Sequence, residues 1–172
     1  MQRSLKWSRV ILLAAIAAAL SWGAPARSLA QAAPDNVHWS LSVAPGDKPV
    51  AAGSEITVVL SGDIDDGWHI YGLQQKPGGP IALRVTLDPS AAAAAAGEPS
   101  ESAPEKIQDK TLGMETQYHT HNFTVRLPVR ITAADGSTTI PISVRFQQCS
   151  AKECRLPRTV HLAAPIEVGP HA

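Results

Sequence analysis

Two stretches of strict apolar–polar alternation constrain this chain more than anything else in it. Phe123, Val125, Leu127, Val129 and Ile131 alternate with Thr124, Arg126, Pro128, Arg130 and Thr132. After the turn-forming Ala134-Asp135-Gly136, Ile140, Ile142, Val144 and Phe146 alternate with Thr139, Pro141, Ser143, Arg145 and Gln147. A period of two sends the apolar set to one face of a strand, and a single apolar face marks an antiparallel sheet packed on one side. Proline has no N–H for a ladder, so Pro128 and Pro141 are expected at edges or bulges.

Shorter runs of the same kind come first. Val37, Trp39, Leu41 and Val43 alternate, as do Ile56, Val58 and Leu60, and later Ile81, Leu83, Val85 and Leu87. Trp68-His69-Ile70-Tyr71 reads as a short aromatic strand. Residues 62–67 form an acidic turn with Asp63, Asp65 and Asp66, lacking the far-end Glu of a calcium loop. About seven or eight short strands with turn signals between them, and no helix of normal length, predict an all-β, immunoglobulin-like antiparallel β-sandwich. Residues 88–105 interrupt the pattern with six consecutive alanines and then Gly-Glu-Pro-Ser-Glu-Ser-Ala-Pro-Glu. That composition predicts a low-complexity surface loop, dispensable over 91–102 and without chemistry.

Residues 1–30 read as a targeting segment. Arg3, Lys6 and Arg9 precede an apolar run over 10–20, and Ser28-Leu29-Ala30 supplies small residues for cleavage after Ala30. The run is shorter than the roughly 20 residues that span a bilayer, so no stable membrane insertion is expected. What remains, 31–172, is long enough for one domain with one core. The leader holds four basic and no acidic residues, leaving the rest with 11 basic against 15 acidic. No basic patch points to nucleic acid. An exported chain meets an oxidising compartment, most simply a bacterial periplasm, where cysteines can pair.

The only two cysteines lie in Phe146-Gln147-Gln148-Cys149-Ser150-Ala151-Lys152-Glu153-Cys154-Arg155-Leu156-Pro157. An alternating strand runs into Cys149, and Cys154 is placed to open the returning strand. Directly opposed strand residues are close enough to form a disulfide. A loop of about six residues gives only about 2 kcal/mol by chain entropy, a small return for a staple. Spacing leaves redox work, a staple and metal binding all open. Lys152, Arg155 and Arg158 would favour a thiolate and Glu153 would oppose it. Parity carried forward from Phe146 sets Cys149 on the polar face with Arg145 and Gln147, near the surface.

His119 and His121, with Met114 nearby, raise a rival reading, a copper-binding β-sandwich. A second rival is a non-catalytic scaffold with a stapled hairpin. Neither a Gly-x-Ser-x-Gly elbow nor a carboxylate pair outside the turns supports a hydrolase.

Three segments resemble a known family. They are Asp66-Gly67-Trp68-His69-Ile70-Tyr71, the run from Asp109 through Gly113 to Leu127-Pro128-Val129, and Phe146-Gln147-Gln148-Cys149 through Cys154-Arg155-Leu156-Pro157. Together they are similar to the N-terminal domain of the thiol:disulfide interchange reductase DsbD, also called the disulfide bond corrector domain. The resemblance implies an immunoglobulin-like domain, and a monomer without cofactor or metal is expected. It would relay electrons from a thioredoxin-like donor to periplasmic disulfide isomerases and to thioredoxin-like proteins of cytochrome c maturation. Cys154 would form the mixed disulfide and Cys149 would resolve it. Asp109, Thr111, Leu112 and Gly113 would belong to a cap loop over the pair, with Tyr71 and Phe146 beside it. The family brings aromatic residues to the cap where this chain has Thr111 and Leu112. Its membrane-embedded and thioredoxin-like parts have no counterpart here, so electrons are expected from another polypeptide.

Overall fold

A computed structural model describes residues 35–46, 49–110 and 112–170. The expected leader, 1–30, and Thr111 of the expected cap lie outside the described residues. Thirteen strands and no helix form among those described. In chain order they are β1 (Val37–Ala44), β2 (Val50–Ala51), β3 (Glu55–Ile64), β4 (Trp68–Tyr71), β5 (Arg84–Leu87), β6 (Ala93–Ala95), β7 (Ser100–Glu101), β8 (Glu105–Asp109), β9 (Met114–His119), β10 (Phe123–Ile131), β11 (Gly136–Phe146), β12 (Gln148–Ser150) and β13 (Arg158–Gly169).

The two long alternating stretches become β10 and β11, one in each main sheet. The first sheet runs β1-β3-β10, with β6 and β7 both laid along the far side of β10. The second runs β2-β13-β11-β5. Val125, Val129, Ile140, Ile142 and Val144 are fully buried and join one cluster with Val58 and Leu60 of β3 and Ala164 of β13. Burying each such aliphatic side chain contributes about 1.5–3 kcal/mol. The core lies between the sheets, and the fold is an all-β, immunoglobulin-like sandwich. Its pairings are antiparallel except one short contact, where β2 runs parallel to the end of β13 at Val50↔Val168.

The prolines avoid the ladder without sitting on outer strands. Pro128 stands where β6 has ended at Ala95 and β7 has not begun, and its carbonyl accepts from Ala96 N at 3.0 Å. Pro141 lies just past the end of β5, its carbonyl accepting from Asp88 N.

The alanine-rich stretch departs from expectation. Ala93–Ala95 pairs with Val129–Ile131, Ser100 and Glu101 pair with Arg126 and Val125, and Ala92 and Ala93 are buried. Alanine offers a strand little side-chain packing, but β10 has an open edge whose N–H and C=O groups need partners. The segment is therefore part of the first sheet, not a surface loop.

A third, smaller sheet was also not foreseen. It runs β12-β4-β9-β8 and carries the cysteines at one edge. The chain leaves β11 at Phe146, passes through Gln147, and re-forms a ladder with β4 instead.

Candidate redox site

Cys149 and Cys154 are joined in a disulfide. They face each other as an isolated antiparallel pair with Cα atoms 4.0 Å apart. Backbone bonds flank them on both sides, Ser150 N donating to Glu153 O at 2.7 Å and Arg155 N to Gln148 O at 2.9 Å. This is the non-hydrogen-bonded type of pair, in which side chains approach most closely. The Ser150 hydroxyl closes the loop by accepting from Lys152 N and Glu153 N, both at 3.2 Å. Backbone and Ser150 thus hold the loop independently of the sulfur bond. The returning strand starts later than expected, at Arg158.

The two cysteines differ sharply in access. Cys149 is 1 % exposed, whereas Cys154 is exposed. The expectation that parity puts Cys149 on the polar surface fails because the break at Gln147 resets the register. β12 is anchored from below by Gln148, itself buried, whose Oε1 accepts from Asn36 N at 3.0 Å. Phe146, expected beside a partner, is completely buried, with the Trp39 ring edge-on at 5.1 Å. It supports the site from the core and does not reach the surface.

Register defines what shares the face of the disulfide. Cys149 pairs with His69, Ile70 with His119, and Tyr71 with Tyr118, so Cys149, His69 and Tyr71 project to one side of the small sheet. Tyr118, Thr116, Ile107 and Asp109 follow on the same side through the β8–β9 ladder. His69, Tyr71, Ile107, Asp109, Thr116 and Tyr118 line a cleft of about 520 Å³ that Ala151 of the cysteine loop also borders. The His69 ring lies 5.4 Å from Tyr71 and 5.1 Å from Tyr118. Burial pushes the His69 imidazole below its ordinary value, and the Asp109 carboxylate pulls it partly back. Burial, then Asp109, push the Tyr71 phenol up.

The expected cap loop is the turn between β8 and β9. Asp109 Oδ1 accepts from Leu112 N at 3.0 Å, and Gly113 takes a φ of 66°, which favours glycine. Asp109 and Lys110 line the same hollow as Ala151, and Leu112 is 44 % exposed.

Two of the three cations near the pair, Arg155 and Arg158, are engaged by other partners. The Arg155 guanidinium lies 4.4 Å over the Trp68 ring and its Nε is 3.8 Å from Glu153. Arg158 Nη1 meets Asp35 Oδ1 at 2.6 Å.

The histidine pair does not form a shared metal face. His119 ends β9, buried, with Nε2 2.9 Å from Glu101 Oε2 and its ring stacked on Phe123 at 4.4 Å. His121 lies past the strand, in the turn, with Nδ1 2.7 Å from the Thr120 hydroxyl. No group of three or more His, Cys, Asp or Glu is arranged for a metal among the described residues.

Reading the sequence alone missed His69 opposite Cys149, Gln148 beneath the loop and Glu101 in the interior. Only the adjacency of Trp68-His69-Ile70-Tyr71 to a sheet-forming pattern hinted at the first.

The fold and site define a class, an immunoglobulin-like domain carrying a cross-strand disulfide between one buried and one exposed cysteine. The chain belongs to the family described as thiol:disulfide interchange protein DsbD, N-terminal, whose model matches residues 41–164. It is a thiol–disulfide exchange domain of that family. Among solved structures, it is similar to the reduced DsbD N-terminal domain of Neisseria meningitidis at 18% identity and TM-score 0.44, over 72% of this chain and 82% of that one. It is similar to the same domain in complex with the PilB N-terminal domain at 17% identity and TM-score 0.43, over 73% and 80%. The N-terminal periplasmic domain of ScsB from Proteus mirabilis matches at 12% identity and TM-score 0.48, over 77% of this chain and 45% of that one. No curated protein matches the chain.

Proposed function

We propose that this domain relays electrons in the periplasm between a thioredoxin-like donor and thioredoxin-like acceptors, among them disulfide isomerases and cytochrome c maturation proteins, through Cys149 and Cys154. The observation that carries this reading is the unequal exposure of the two cysteines within a loop that its backbone already holds closed. In the oxidised domain a donor thiolate attacks Cys154 Sγ, the Cys149–Cys154 bond breaks, and its electron pair leaves on Cys149. A second donor thiolate attacks the donor sulfur of the mixed disulfide and releases Cys154 as thiolate, so the donor is oxidised and the domain reduced. Toward an acceptor the order reverses. Cys154 attacks the acceptor disulfide, and Cys149 then attacks Cys154 and expels the reduced acceptor.

The reduction potential of the pair tests this. Equilibration in graded glutathione buffers should give a value within the range of exchange proteins, about −270 to −120 mV. A value below about −300 mV is that of a structural disulfide and would contradict the relay.

A further inference from the structure

The proposed relay leaves a chemical problem at Cys149. When this buried thiol resolves a mixed disulfide, it must lose a proton in a place water barely reaches, because only the thiolate attacks. Its opposite neighbour across the β12–β4 ladder is His69, projecting from the same face of the sheet. We propose that His69 is the proton acceptor for Cys149, an inference that rests on the exchange reading above.

Burial keeps the imidazole neutral near neutral pH, which is the form that can accept a proton. The resulting imidazolium is favoured by Asp109, whose carboxylate acts on His69. The other titratable groups on this side are Tyr71 of β4, Glu105 of β8, Tyr118 of β9, and Asp66, Lys110 and His121 around the rim. The Cys149 S–H proton passes to the His69 ring, and the Cys149 electron pair forms the bond to Cys154 Sγ. The bond from Cys154 to the partner sulfur breaks, and its pair leaves on the partner as thiolate. The cleft that His69 lines then takes the proton to solvent.

Reaction of the fully reduced chain with dithiobis-nitrobenzoate separates the two sulfurs. The first thionitrobenzoate released reports attack by Cys154, and the second reports resolution by Cys149. His69→Gln should leave the first release unchanged and slow the second about a hundredfold at neutral pH. The gap should close as pH is raised into the alkaline range, where the buried thiol ionises without a base. No slowing, or equal slowing at every pH, overturns the proposal. Loss of the first release in the variant would make His69 structural and overturns it equally. Absence of a second release from the unaltered protein would contradict the exchange reading itself, and this inference would fall with it.

Discussion

Glu101 Oε2 lies 2.9 Å from His119 Nε2 in the interior, with the two side chains only 8 % and 5 % exposed. Both Glu101 oxygens also accept from Leu73 N, at 2.9 and 3.0 Å. One carboxylate from the alanine-rich segment thereby ties the chain just past β4 to the end of β9, the two strands that floor the cleft.

Glu101→Ala leaves the Leu73 N–H and the His119 ring without their acceptor. Orphaned buried groups cost about 1–3 kcal/mol each, so a loss of at least about 2 kcal/mol is expected in urea unfolding. Deleting 91–102 should unfold the domain, because it strips one side of β10. A stable, well-folded deletion protein would show that this strand pairing is unimportant.

The sandwich core gives a second contrast. Leu127 is 4 % exposed, and Leu127→Ala should cost about 2–5 kcal/mol. Thr124, on the other face of the same strand, should cost under about 0.5 kcal/mol when changed to alanine. Equal urea midpoints for the two variants would show that the faces are assigned wrongly.

Reduction of the disulfide should not unfold the domain. The bridge closes a short loop, worth about 2 kcal/mol by chain entropy, and two backbone bonds hold the same hairpin. Urea unfolding with and without reductant should differ by about that amount. Collapse of the fold on reduction would assign the pair to structure.

A pH dependence follows from His69. Its folded-state value lies below the ordinary 6.5, so the unfolded chain binds the proton more readily. Stability is therefore complete above 6.5 and falls as pH drops from there through the folded value. His69→Gln removes that contribution. The drop in urea midpoint between about pH 7.5 and about pH 5 should be smaller in the variant. An identical drop would mean that His69 is not the buried group responsible.

The long strands were legible because one-sided burial imposes a period of two on Phe123 through Ile131 and on Ile140 through Phe146. The cysteine loop was legible as a hairpin for the same local reason. Other features depend on which distant strand supplies the partner, and nothing local encodes that. Alanines 93–95 enter the first sheet through backbone bonds to β10 that any side chain would permit. Cys149 is buried because Gln147 breaks the ladder and Gln148 bonds to Asn36, a residue far back in the chain. His69 meets Cys149 only through the β12–β4 pairing. The Glu101–His119 contact likewise needs β7 and β9 in place.

The central claim, unequal roles for two bonded sulfurs, is tested most directly by trapping. Cys149→Ser and Cys154→Ser variants are each incubated with a thioredoxin-like protein that lacks its resolving cysteine and carries the remaining one as a thionitrobenzoate disulfide. Attack by the variant's thiolate expels thionitrobenzoate and leaves the mixed disulfide, which is read on non-reducing gels. The exposed Cys154 predicts that Cys149→Ser accumulates a stable mixed disulfide, while Cys154→Ser, left with Cys149, a residue only 1 % exposed, accumulates little or none. Efficient trapping by Cys154→Ser alone would contradict this account.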